Sequence, residues 1–88
     1  MSQFIGQIPE EVDALASDFD NKATDIETVI TALTSKLGST TWVGADRNRF
    51  EGDWNSTLSS NLRTVAASLR EAATTARNNA EQQRTASA

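Results

Sequence analysis

The side chains that most often carry chemistry are either missing from this chain of 88 residues or wrongly spaced for it. There is no Cys and no His. That removes thiolate metal sites, disulfides, the commonest metal ligand and the commonest general base. Asp18, Asp20 and Asp25 begin like a calcium loop, but Ala23 stands where the sharp turn needs Gly and Val29 where the bidentate Glu belongs. The three aspartates read instead as a solvated helix face. Acid pairs such as Glu10 with Asp13, or Glu51 with Asp53, need a water-excluding pocket for general acid–base work, and the chain has little core with which to build one. Asn55-Ser56-Thr57 fits the glycosylation tripeptide but falls within a helical pattern. The expectation is a protein that binds rather than catalyses, with no metal and no cofactor.

Composition sharpens this. Of the hydrophobic residues 13 are Ala, and only 20 are the larger Val, Ile, Leu, Met, Phe and Trp, so core material is thin. Twelve acids against eight bases give a net charge of -4, which disfavours capture of phosphate backbones and argues against nucleic acid as a partner. The charge is uneven: residues 1–38 hold seven acids and two bases, residues 39–88 five acids and six bases. No apolar run approaches a membrane span, and the start of the chain has neither a basic region nor an apolar core of the signal-peptide kind. Membrane association is disfavoured, and export would need a route without a cleaved signal peptide.

Periodicity places two helices around one loop. Pro9 followed by Glu10, Glu11 and Asp13 suits a first helical turn. Apolar residues then fall at Val12, Leu15, Phe19, Ile26, Val29 and Leu33, with Lys22 and Lys36 in two slots of the same stripe and Ile30 and Leu37 widening it. The lysine stems are expected to pack while their ammonium groups reach water, Lys22 towards Asp18 or Asp25. Gly38 reads as a left-handed cap. Helix one is thus expected over about residues 9–37, a loop over 38–44, and helix two over about 45–80 with Gly44 or Thr41 near its N-cap. Helix two carries Phe50, Trp54, Leu58, Leu62, Val65 and Leu69 in steps of four, four, four, three and four, continued by Ala72 or Ala73, Ala76 and Ala80. Residues 81–88 lose the apolar face and read as a frayed tail.

Two such rods joined by a short loop must lie antiparallel, with the acidic start of helix one beside Arg70, Arg77 and Arg84. The predicted fold class is all-α, an antiparallel helix-turn-helix hairpin. The seam of one hairpin buries too little for stability, so the hairpin is expected to dimerise into a four-helix bundle with an identical or related chain, through the large apolar residues named above.

Trp42 sits at the turn, with Gly44 two residues on. As a purely structural residue it plugs the end of the hairpin; as a functional one it offers a rigid anchor, with Gly44 allowing close backbone approach. The stretch Thr41-Trp42-Val43-Gly44-Ala45-Asp46-Arg47-Asn48-Arg49-Phe50-Glu51-Gly52-Asp53-Trp54, set midway between two amphipathic helices in a cysteine-free acidic chain, resembles the WXG family of roughly hundred-residue proteins, the early secreted antigen-like proteins of actinobacteria and firmicutes. The resemblance covers almost the whole chain.

That resemblance implies a hairpin that forms a four-helix bundle as a homodimer, or with a related hairpin, and leaves the cytoplasm folded through a type VII secretion system. Members act as secreted effectors or as partners that carry another substrate. It also implies that the turn at Trp42 and Gly44, near the tail of the other subunit, is read by the type VII secretion ATPase. The family's tail signal is Tyr, three residues, then an acid; here that spacing falls on Arg77-Asn78-Asn79-Ala80-Glu81, and the chain has no Tyr. Arg77 and Glu81 are therefore the candidate tail positions, and a chain lacking the Tyr could travel as the passenger of a signal-bearing partner. The alternative is a cytosolic helical adaptor that docks the helical N-terminal domain of a larger toxin.

Overall fold

Pro9 opens the first helix, α1, which spans Pro9–Ser39 in the computed structural model. The structure describes residues 6–87; the readings of residues 1–5 and of Ala88 lie outside the described residues. Glu10 and Glu11 occupy the first turn and Lys36 the last, each on the side of the helix dipole that favours its charge. The helix does not stop at Gly38. It runs one residue further, and Thr40 ends it with extended backbone, φ −81° and ψ 132°. The reason lies in the hydroxyls that follow the glycine. Ser39 Oγ and Thr40 Oγ1 both donate to the Lys36 carbonyl, at 3.1 and 2.6 Å, and the Thr40 N–H reaches Leu37 O at 3.3 Å. The last carbonyls are thereby satisfied without a left-handed residue.

After a short extended loop the chain turns into a second rod. It is α-helical over Ala45–Asp53 (α2), takes one π turn over Trp54–Leu58, and is α-helical again over Ser59–Ser87 (α3). The rod thus continues through residues 81–87, where a frayed tail was expected. Side chains hold this end: Arg84 pairs with Asp13 and lies within 3.7 Å of Glu10, and Gln83 Nε2 donates to Ser87 Oγ at 3.2 Å.

α1 and α3 pack along their lengths as an antiparallel hairpin, and the buried residues identify the seam. They are Ala16, Ala23 and Ile30 on α1, and Ser59, Ala66, Ala73 and Ala80 on α3. Both sets step by seven residues, the period of a left-handed pair of helices. Small side chains let the two backbones approach closely. Two of these positions, Ala73 and Ala80, continue the apolar stripe read for helix two, and the others lie beside the large residues assigned to packing and to the pairing face. Among the large apolar residues assigned to packing, Trp54 alone is buried; Val12, Phe19, Ile26, Leu62 and Leu69 are half-buried, and Leu15, Val29, Leu33, Phe50, Leu58 and Val65 are exposed. Geometrically the large residues belong to two neighbouring stripes. One lies three residues past each buried position (Phe19, Ile26, Leu33; Leu62, Leu69) and the other one residue before it (Leu15, Val29; Leu58, Val65). The first borders the seam except at Leu33, which is exposed, and the second is turned further towards solvent.

Charge sets direction and register. Arg70, Arg77 and Arg84 step along α3 by seven while Glu27, Asp20 and Asp13 step back along α1, giving pairs at 2.5 Å for Arg70–Glu27 and 2.8 Å for Arg77–Asp20, with Arg84–Asp13 completing the ladder. Arg70 Nη1 also donates to the Asp20 carbonyl at 3.3 Å. The Arg84 guanidinium is raised above its ordinary pKa, first by the hydrogen bond to Asp13 and then by the charges of Asp13, Glu10 and Glu81, against some desolvation. A raised folded-state pKa is stabilising at every pH below the ordinary arginine value, so this contribution is constant through the neutral range. The ladder is solvent-facing and contributes modestly to stability, but it disfavours any slipped register.

The result is a rod 69 Å long and 17 by 13 Å across, with a radius of gyration of 19.7 Å; a compact chain of this length has a radius of about 12 Å. Its accessible surface is 6179 Å², against roughly 5,000 Å² for a compact monomer of the same mass. Lys22 and Lys36 are exposed, and Lys22 reaches Asp25 at 3.6 Å.

The seam makes a specific prediction. Ala73→Leu, which inserts three carbons where the helices meet, is expected to cost about 1–3 kcal/mol by overpacking. Ser17→Ala, exposed and off both apolar stripes, is expected to stay within about 0.5 kcal/mol. Urea denaturation of both variants checks this, and equal losses would overturn the assigned seam.

Candidate functional site

The turn between the rods is built around a backbone that only glycine adopts readily. Gly44 has φ +122° and ψ −175°, and it supplies the N-cap position of α2 without any side-chain cap. Its carbonyl accepts the Asn48 N–H at 3.1 Å, starting the helix. Asp46 follows in the first turn, where a carboxylate complements the dipole. A Cβ placed on Gly44 would meet nothing within 4 Å, so the restriction there is conformational and not steric crowding.

Trp42 and Val43 stand before this glycine on extended chain. The Trp42 ring leans against Phe50 of α2, with centroids 5.6 Å apart and planes inclined by 47°, a favourable aromatic arrangement. It remains 39% exposed, and Val43 is 89% exposed. The indole therefore caps the hairpin only in part and leaves an apolar face in solvent, so plugging and presentation are both features of one side chain.

Arg47, which sequence reasoning did not single out, and Glu51, weighed there only as half of an acid pair, hold this arrangement. Arg47 Nη1 donates to the Trp42 carbonyl at 3.0 Å, and Nη2 donates to Glu51 Oε2 at 2.6 Å. The Arg47 side chain is only 18% exposed, unusual for an arginine in the first turn of a surface helix. The available signal was the four-residue spacing of Arg47 and Glu51, which places them on one helix face.

Below the turn, Trp54 anchors the second rod to α1. It is buried, and its Nε1–H donates to Thr34 Oγ1 at 2.8 Å. The π turn makes this possible. Because the Ser59 N–H bonds to Trp54 O instead of to Asn55 O, one extra residue is accommodated and Trp54, eight residues before Leu62, takes the seam-bordering place that Asn55 would hold in an unbroken α-helix. Hydroxyls serve the carbonyls of the widened turn: Ser56 Oγ donates to Gly52 O at 2.7 Å and Ser59 Oγ to Asn55 O at 3.3 Å.

The tail positions lie elsewhere. Arg77 is engaged by Asp20 at 2.8 Å and Glu81 by Arg84 at 3.5 Å. Arg77 is 33 residues beyond Gly44 along the second rod, roughly 50 Å at helical rise. Within one chain the structure does not bring Arg77 and Glu81 to the Trp42 turn. Among the described residues no group of His, Cys, Asp and Glu is arranged to hold a metal ion, and no helix is long and apolar enough to cross a membrane.

Gly44→Ala is expected to destabilise the hairpin by about 1–3 kcal/mol through backbone strain alone, read as a lower denaturation midpoint with unchanged slope. An unaltered midpoint would show that the turn does not need the left-handed backbone. No family model, curated protein or solved structure matches this chain.

Proposed function

We propose that this chain is a binding protein of a type VII secretion pathway, a member of the WXG kind, that pairs with a second copy or a related hairpin as a four-helix bundle and presents its Trp42 turn to the secretion ATPase. The observation that carries this reading is the Trp42-Val43-Gly44 turn itself. Gly44 holds the left-handed backbone at φ +122°, and Trp42 offers a partly exposed ring fixed against Phe50. Rigid, half-exposed aromatic anchors of this type dominate protein interfaces. The need for a companion is supported by the outward stripe of Leu15, Val29, Leu58 and Val65, a face that a second hairpin would cover.

Export without a cleaved signal peptide follows as part of the same proposal, and the chain acts as a secreted substrate or as the partner of one. Arg77 and Glu81 are the proposed tail contribution, and in this reading they would meet the turn of the other subunit. The adaptor reading, with a toxin's helical domain on the same apolar face, differs in destination: the chain would stay in the cell with one large co-purifying protein.

Trp42→Ala is expected to leave helical content by circular dichroism near the parent value while reducing the amount in the culture medium by tenfold or more, the scale of losing an interface anchor of about 2 kcal/mol. Export of the variant at the parent level, measured in the organism that encodes the chain, would contradict the proposal.

A further inference from the structure

The Trp42 carbonyl and the Arg47 guanidinium form a closure that has no role in the hairpin seam. Arg47 reaches back five residues, across the Gly44 turn, to bond Trp42 O at 3.0 Å, and its second Nη is tied to Glu51 at 2.6 Å. Residues 40–43 lie outside the helices, so their backbone groups lack a regular ladder to hold them. Aromatic contact with Phe50 places the Trp42 ring, but ring contact alone leaves the peptide plane before Val43 free to turn. The Arg47 bond fixes that plane. Glu51, one helical turn further along α2, fixes the guanidinium in its fork geometry.

We propose that Arg47, oriented by Glu51, is a positioning residue that holds the Trp42 turn in its recognition-ready conformation before any partner arrives. This rests on the reading of Trp42 as a recognition anchor, and it adds the device that pre-organises it. Arg47 touches the turn's backbone and not the partner. Its loss lowers the fraction of molecules whose turn is competent, and apparent affinity falls in proportion to that fraction. Arg47→Lys keeps the charge and N–H donors, but on a single nitrogen in place of the two-nitrogen planar fork that bridges Trp42 O and Glu51, so it restores part of the order. Glu51→Gln keeps an acceptor and removes the charge, and it also falls between the parent and Arg47→Ala.

The test uses the full chain in three variants, Arg47→Ala, Arg47→Lys and Glu51→Gln. Nuclear relaxation of the Trp42 indole N–H reports turn order, the Trp54 indole N–H serves as an internal reference, and circular dichroism reports helix content. The expected result is a Trp42 order parameter that drops in Arg47→Ala, is intermediate in the other two, and leaves Trp54 and helix content unchanged. In the encoding organism export should fall by about three- to tenfold for Arg47→Ala, matching a competent fraction of about 10–30%, with partial recovery for Arg47→Lys. Unchanged Trp42 order in Arg47→Ala overturns the positioning role and leaves the recognition reading standing. A mobile Trp42 with full export of both Arg47→Ala and Trp42→Ala overturns the recognition reading itself, and the positioning role in recognition with it.

Discussion

The close approach of two helices along small side chains is the constraint from which the rest of this structure follows. Ala16 and Ala23 on one rod and Ala66, Ala73 and Ala80 on the other are buried, which brings the backbones together but hides little apolar area per residue. A helix that belongs to a bundle carries about three apolar positions in every seven, more than a single neighbour can cover. Here the first position is filled with small residues and spent on the hairpin. The second, with Phe19, Ile26, Leu62 and Leu69, is shared between seam and solvent. The third, with Leu15, Val29, Leu58 and Val65, faces outward. The slender rod and its surplus surface are consequences of that division.

Direction along the rod is set by a different interaction. Three arginines and three carboxylates at matching sevenfold steps align the helices antiparallel, and Trp54 bonded to Thr34 ties them near the loop. Among the described residues none nearer the loop than Trp54 is buried, and there the exposed aromatic rings of Trp42 and Phe50 sit on a glycine turn braced by Arg47. Buried contacts are concentrated along the shaft, and exposed aromatic surface at the tip.

Much of this was legible in the sequence, because helix starts and charge patterns are local signals. Pro9 with Glu10 and Glu11 marked the start of α1, and the break before Ala45 marked the loop. The charge imbalance between the two halves implied the arginine ladder. The seam was harder to read because hydrophobicity ranks Leu and Val above Ala: Ala73 and Ala80 enter only as the continuation of the helix-two stripe, while Ala16 and Ala66 stand beside Leu15 and Val65 without drawing notice. Burial follows backbone proximity instead, which Ala permits. The end of α1 misled because Gly38 is a common cap residue, while the hydroxyls of Ser39 and Thr40 met the need first. The π turn left a trace that is plain in retrospect: the steps Phe50, Trp54, Leu58, Leu62 are three fours in succession, one residue more than alternating threes and fours allow. Arg47 left almost none, since its role depends on a loop carbonyl that no helical pattern reveals.

The proposed pairing of two hairpins over the outward apolar stripe is open to sedimentation of the purified chain across a dilution series. The expected result is a folded species of about twice 9.5 kDa whose melting temperature falls on dilution, because folding and pairing are then one equilibrium. A chain that remains a single 9.5 kDa copy and melts cooperatively at a concentration-independent temperature would contradict it.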